Sequence, residues 1–402
     1  MATSIILKSH TTQNSDLERN AIKINEFTDD KTTKIRKPKI VTDPVVIKPN
    51  RQISFGSVAQ FDINKYSGLV SGNDIHLHIT IGATTASAGT VSYVGGYLMK
   101  LIKTIKFKHQ GREIYKLDNA GIYQYYQRAI QERKSLMMQN ARIGATGTDI
   151  DPAVQQEGLI YIPNPFIDFN PLRLDILQGN PYYEVEIAPL SEIASSSTAG
   201  ASLSNTFIDV ELVCNYMTMH EDDKRAILQS SMDASGIVTV QNEFVDSTKY
   251  LVSAGSTSIT CDLPFDEVEY LSMYLSDDTT GAPFTGTPYI QEYHISVDNK
   301  NYPDTAISNK SQEFQQMMYF RKAFDKYIMT LRFSGLPSKD DDIESYGNVY
   351  GTMVLKEYSN PKLVVNFTQA LPHNSTLNVF AYGRAWYRYN SKLGTINVEH
   401  KN

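Results

Sequence analysis

Cysteine is nearly absent: Cys214 and Cys261 are the only two in 402 residues. Both sit in apolar, strand-like runs and neither belongs to a CxxC spacing, which argues against a disulfide framework or a zinc site and fits a reducing compartment. Charge is also sparse, at 20% of residues with a net charge of −6 at pH 7. No global basic field is present, so direct, sequence-specific binding of nucleic acid is not expected. No run approaches the roughly 18 apolar residues of a membrane-spanning helix. The opening Met1-Ala2-Thr3-Ser4 offers neither a basic and apolar leader nor a glycine at position 2, so no secretory signal or myristoyl anchor is expected, and synthesis in the cytosol is. Nucleophile-elbow, phosphate-loop and HExxH patterns are missing as well, which leaves nucleophilic, phosphoryl-transfer and zinc-protease chemistry without a sequence basis.

What the chain does have is 25 Tyr, 16 Phe, 23 Gly and 16 Pro, a mixture that favours strands and turns. Its length suits two domains of roughly 170 residues with extensions. Residues 1–50 are polar, with a basic stretch at Lys31, Lys34, Arg36, Lys37 and Lys39 followed by Pro44 and Pro49. They read as an extended N-terminal arm, either solvated or docked on a partner or an anionic membrane surface.

Period-two patterning begins after Gln52 and is clearest at Asp74 to Ile81, where Ile75, Leu77, Ile79 and Ile81 oppose His76, His78 and Thr80. Further strands are predicted at 53–63, 101–108, 159–162, 183–187 and 206–219. A helix follows Asp118-Asn119, with Ile122, Tyr125, Tyr126, Ala129, Ile130, Arg133, Leu136 and Met137 at helical spacing. A short polar linker helix is expected at 220–236. Residues 237–402 then repeat the grammar, with strands at 237–244, 258–263, 268–275, 293–297, 327–333, 350–355, 362–367 and 377–389 and a helix at 311–325. The two halves share architecture rather than residues, so 51–219 and 237–402 read as two tandem β-sandwiches.

Several residues invite chemistry. His76 and His78 have the spacing by which a strand offers two imidazoles to a metal, but Val70 and Gly82 or Ala83 stand where a cupin-type site needs its glycine and glutamate. A polar sheet face is therefore expected, with no metal and no cofactor. Asp340, Asp341, Asp342 and Glu344 lack the alternation of a calcium loop and read as a charged loop. Tyr123, Tyr125, Tyr126, Tyr382, Trp386, Tyr387 and Tyr389, with Arg384 and Arg388, read as core and subunit interface in preference to stacking platforms. Sequons at Asn309, Asn366 and Asn374 read as chance occurrences.

The run Leu159-Ile160-Tyr161-Ile162-Pro163-Asn164-Pro165-Phe166, continuing to Leu174 and to Tyr183-Glu184-Val185-Glu186-Ile187, resembles a segment of the double jelly-roll major capsid proteins of double-stranded DNA viruses, a lineage spanning large eukaryotic DNA viruses, virophages and tailless membrane-containing phages. Val210 to Arg225 resembles that family's strand closing the first roll and entering the linker. Thr257 to Phe265 resembles the opening of the second roll, Met318 to Arg321 its Tyr-Phe-Arg element, and Leu377 to Tyr389 its closing strand. The resemblance runs from about residue 50 onward and departs from the family at 340–348. It implies an all-β fold of two tandem eight-stranded antiparallel jelly rolls, each with a helix inserted in its loops. It also implies a non-enzymatic homotrimer of pseudo-hexagonal outline tiling an icosahedral shell, in contact with neighbouring capsomers. Tyr382, Trp386 and Tyr387 would lie at the trimer interface, and the basic arm would face minor capsid proteins or an inner membrane. Virion localisation follows, after assembly in the host cytoplasm. A transient membrane-shaping scaffold of the same fold and a two-domain carbohydrate- or receptor-binding β-sandwich are the alternatives.

Overall fold

The computed structural model describes residues 41–63, 68–128, 139, 141, 150–166, 171–218, 220, 222, 225, 228–229, 231–277, 290–298, 300–308, 329–333 and 353–400. The chain divides into two compact units. The first takes the described residues within Met1–Tyr126, Glu132–Asn242 and Trp386–Glu399, and the second those within Gln127–Gln131, Glu243–Ala385 and His400–Asn402.

The first unit is built on eight strands: β1 (Val41–Ile47), β2 (Val58–Asp62), β3 (Leu69–Ile81), β4 (Ile102–His109), β5 (Arg112–Asp118), β6 (Gln156–Tyr161), β7 (Tyr182–Ile187) and β8 (Ile208–Thr218). They form two antiparallel sheets, ordered β1-β8-β3-β6 and β2-β7-β4-β5. Alternation decides which face packs. Ile208, Val210, Leu212, Cys214 and Tyr216 of β8 are buried, while Asp209, Glu211 and Val213 between them are more exposed. On the interior face, the ring of Phe107 on β4 lies 5.4 Å from Phe166 and 5.2 Å from its cross-strand partner Tyr183 on β7. Rings at these separations and tilted geometries add to area burial.

A helix, α1 (Tyr97–Leu101), leads into β4, and α2 (Asn119–Arg128) follows β5 at the expected place. Asp118 caps α2 by accepting a hydrogen bond from the Gly121 backbone N–H at 2.9 Å, satisfying one of the orphan donors of the first turn. Inside the unit, the Tyr126 hydroxyl accepts from the Tyr161 N–H at 2.6 Å, which ties the helix to β6. The helix residues expected beyond 128, Ala129, Ile130, Arg133, Leu136 and Met137, lie outside the described residues. In the stretch expected as a linker helix, Asp222, Arg225, Leu228, Gln229 and Ser231 are helical, and Gly236, at φ 82°, turns the chain into the next strand.

The second unit repeats the plan with β9 (Ile237–Val252), β10 (Ser258–Asp262), β11 (Tyr270–Asp277), β12 (Ile290–Val297), β13 (Lys300–Ser308), β14 (Met329–Arg332), β15 (Lys362–Phe367) and β16 (Ser375–Asn390). Its sheets are ordered β9-β16-β11-β14 and β10-β15-β12-β13. Every strand number is eight higher than at the corresponding position of the first unit. This ordering of four-strand paths in two packed sheets, most of whose neighbours are far apart in sequence, is the jelly roll; Leu172–Arg173 and Thr395–His400 add fifth strands beside β3 and β16. The fold is therefore all-β with two tandem eight-stranded rolls, as expected. The interior of the second roll is mainly aliphatic and thioether: Leu263, Leu271, Met273, Ile295, Met329, Leu331, Leu363 and Val365 meet between its sheets.

Three boundaries differ from the sequence reading. Residues 41–47, assigned to the arm, are β1, paired with β8 from Val41↔Thr218 to Ile47↔Leu212. The arm concealed a strand because Pro44 interrupts it and Val46 stays 54% exposed, both signs of a sheet edge. Residues 237–242, given to the second half, fall in the first unit. So do 386–399, which means β9 and β16 are each shared between the units. The helix expected at 311–325 lies outside the described residues.

Candidate functional site

The terminal strand was the leading interface candidate, and the structure turns most of it inward. Tyr382 is 3% exposed and Tyr387 is fully buried within the single chain, so neither side chain is presented to a partner. On β16, Leu377, Val379 and Ala381 enter the core of the second unit. Tyr382 lies on the opposite face, stacked on Tyr270 of β11 with centroids 4.4 Å apart and planes within 8°. Tyr387 meets Phe166 edge-on at 5.5 Å inside the first unit. An aromatic-rich closing strand reads the same whether its rings face a partner or a core, so sequence alone could not separate the two. Trp386 is half-buried and remains the one member of the trio with surface to offer. The other expected site, Lys31, Lys34, Arg36, Lys37 and Lys39, lies outside the described residues, as do Asp340, Asp341, Asp342 and Glu344.

Arg384 donates from Nε to Glu269 Oε1 at 2.9 Å, and both side chains are largely buried. Arg384 borders a surface depression of the second unit lined also by Phe244, Asp246, Asp266 and Glu267. The first unit holds a tighter pair: Arg173 grips both oxygens of Asp175 at 2.9 and 2.8 Å with side chains only 7% and 2% exposed. Arg388 is exposed and paired with Glu399.

The outer face of the β2-β7-β4-β5 sheet is a lattice of alternating charge. Lys108 Nζ donates to both Glu184 oxygens at 2.9 and 2.8 Å, and Lys106 lies within 3.9 Å of Glu184 and 3.7 Å of Glu113. The hydrogen bonds it donates to Glu184 raise the ammonium pKa of Lys108. Lys106 and Lys108 are thus matched by carboxylates, which reduces the positive charge this face offers to phosphates. His78 Nδ1 lies 3.7 Å from Glu211, and His76 is tilted over the Tyr161 ring at 5.6 Å. No group of three His, Cys, Asp or Glu side chains among the described residues could hold a metal ion. Cys214 and Cys261 are buried free thiols, both pushed by burial above the ordinary thiol pKa, Cys261 to about 12. A protonated buried thiol is a packing group, not a nucleophile.

One surface had no counterpart in the sequence reading. Residues 82–99 and 193–208 carry no charged side chain. Thr84–Ala86 pairs with Leu203–Asn205, and Val91–Tyr93 with Ala194–Ser196, as two short antiparallel ribbons. Hydroxyls link them across the strands, Thr85 to Ser204 at 2.8 Å, Thr90 to Ser197 at 3.2 Å and Ser92 to Ser195 at 3.3 Å. Gly89 and Gly200 make the tips at φ 80° and 77°. The available signal was the pair of Ser/Thr/Ala/Gly runs centred on Ala88-Gly89 and Ala199-Gly200, which lack the apolar alternation that marks a strand.

Two rolls of identical strand order in one chain define a double jelly-roll protein. No family model matches the sequence, and no curated protein matches it. Solved structures do match. VP54 of PBCV-1, fitted into a cryo-EM reconstruction of the virophage Sputnik, aligns with a TM-score of 0.72 at 13% identity, covering 93% of this chain and 100% of that one. The Faustovirus major capsid protein gives 0.65 at 10% identity over 96% and 98%, and the mavirus major capsid protein 0.55 at 10% over 93% and 94%. The fold of this chain is thus that of viral major capsid proteins.

Proposed function

We propose that the chain is a major capsid protein, a structural subunit that homotrimerises into pseudo-hexagonal capsomers and tiles an icosahedral virus shell. The observation that carries this reading is the likeness of both rolls together, over 93% of this chain and the whole of VP54. A match confined to one sandwich would support any binding module. The physical argument is one of shape. Wrapping leaves a jelly roll few open strand edges, so each unit is a rigid brick that resists uncontrolled edge pairing. Three chains place six such bricks around a threefold axis, and a sixfold outline packs hexagonal sites. Permanent contacts of this class bury more than about 2,000 Å². Trp386 is the aromatic on the closing strand with surface available to them.

The protein acts by geometry and not by catalysis. Its arm, with Lys31, Lys34, Arg36, Lys37 and Lys39, runs along the inner side of the shell toward minor capsid proteins or an anionic membrane, and the mature protein resides in the virion after assembly in the host cytoplasm. Counting copies per purified particle by gel densitometry tests the reading. A shell subunit is the dominant protein of the mature particle. A transient scaffold is abundant in immature particles and absent from mature ones, and a receptor-binding protein is present in few copies. Either of the last two results rejects the proposal.

A further inference from the structure

We infer that the first roll is closed by residues made after the second, so the chain cannot display a finished first roll until the second has been synthesised. The first unit is discontinuous in sequence: it ends at Asn242 and resumes at Trp386, while the described strands of the second unit from β10 to β15 lie in one continuous stretch between. Residues 386–399 are tied into the first unit by contacts spread from Tyr387 to Asn397. Tyr387, fully buried, fills the space beside Phe166 with its ring edge-on at 5.5 Å. Tyr389, also fully buried, lies beside Arg173 of the Arg173–Asp175 pair. The Ser391 hydroxyl donates to the Gly236 carbonyl at 2.7 Å. The Gln178 N–H donates to the Gly394 carbonyl at 2.9 Å, and Arg112 donates to the Asn397 side chain at 2.6 Å. Gly394 sits at φ 61°, and a Cβ there would fall 2.3 Å from Gln178 Cβ, so the segment passes where only glycine fits.

These contacts reach β4 through Phe107 against Phe166, the β4-β5 turn through Arg112, and the stretch before β7 through Arg173 and Gln178. Without 386–399, Phe166 loses an aromatic neighbour and the interior of the first roll opens to water on that side. The second roll contains no described strand from the first 242 residues except the start of β9. Completion therefore runs against the direction of synthesis, with the second roll closing first. On the shell reading proposed above, this order withholds one of the two association surfaces from nascent or truncated chains.

Hydrogen exchange resolved by peptide tests the inference in two variants. The first is a chain stopped after Ala385. Expected is loss of protection in β3, β7 and β8 while β11, β12 and β15 keep theirs. The second is the full chain with Tyr387→Ala or Gly394→Val, where opening of the first unit speeds exchange in β3, β7 and β8 by at least about tenfold and leaves β11, β12 and β15 unchanged. Retained protection of the first unit in either variant, or equal loss in both units, overturns it. The readout is protection within single chains, so it is independent of whether copies assemble.

Discussion

The two rolls share every step of their strand order and differ in how they fill it. The first buries Phe61, Phe107, Phe166, Tyr183, Tyr387 and Tyr389, whereas the second sets fewer rings, Phe265, Tyr293 and Phe367, among a larger share of Leu, Ile, Val and Met. The first also carries the uncharged hydroxyl ribbons of 84–93 and 194–205. In the second roll, the corresponding connection between β15 and β16 is a short turn over 368–374. A fold of this kind constrains alternation and strand order but leaves side-chain shape and loop length free, which is how the halves can resemble each other with negligible sequence identity.

The largest test of that contrast is in the cores. Phe107→Ala removes a ring touching Phe166 and Tyr183 and should destabilise the first unit by about 3–5 kcal/mol. Met273→Leu, in the adaptable core of the second, should cost less than about 1.5 kcal/mol. Urea unfolding of both variants measures this, and equal losses would break the comparison. Next come the ion pairs. Asp175→Ala strands the buried guanidinium of Arg173 and should cost about 3–5 kcal/mol. Glu269→Ala should cost less, because the side chains of its pair are more exposed, at 14% and 9% against 7% and 2%. Inverting that order would show that the depression beside Arg384 is drier than its geometry implies.

Smaller effects sharpen the picture. Asp118→Ala removes the cap of α2 and should cost about 1 kcal/mol, read by thermal unfolding. The buried thiols give a pH signature in both units. The folded pKa of Cys261 is raised from 9.0 to about 12, and that of Cys214 is raised as well. The unfolded chain therefore releases these protons first as the pH climbs. The stability they contribute is complete below pH 9.0 and is lost as the pH rises toward 12. Tyr250, raised from 10.0 to about 12, acts in the same direction over the upper part of that window. Melting temperatures measured from pH 7 upward should be flat and then fall above about 9, with a shallower fall in Cys261→Ala.

Where one face of a strand is buried, the sequence was legible. The strand expected at 362–367 is β15 to the residue, and those expected at 183–187, 101–108 and 258–263 match β7, β4 and β10 to within a residue at each end. Legibility failed where burial no longer imposes alternation. At the edge strand β1, Pro44 breaks the pattern. In β5, Ile114 and Tyr115 are buried side by side where the β4-β5 register shifts, so the period of two is lost and the segment reads as a lead into the helix. In β13, Pro303 and polar neighbours read as a turn. The burial of Tyr382 and Tyr387 within the chain was hidden for another reason: both are aromatic at strand spacing, and a buried ring carries no mark of what buries it.

The proposed shell-building trimer is tested most directly by the mass of the purified protein in solution. Light scattering should report three times the 45.2 kDa chain mass, persisting on dilution to nanomolar concentration as expected of a permanent interface. A folded monomer at micromolar concentration, with no tendency to form trimers or hexagonal plates in the electron microscope, would contradict it.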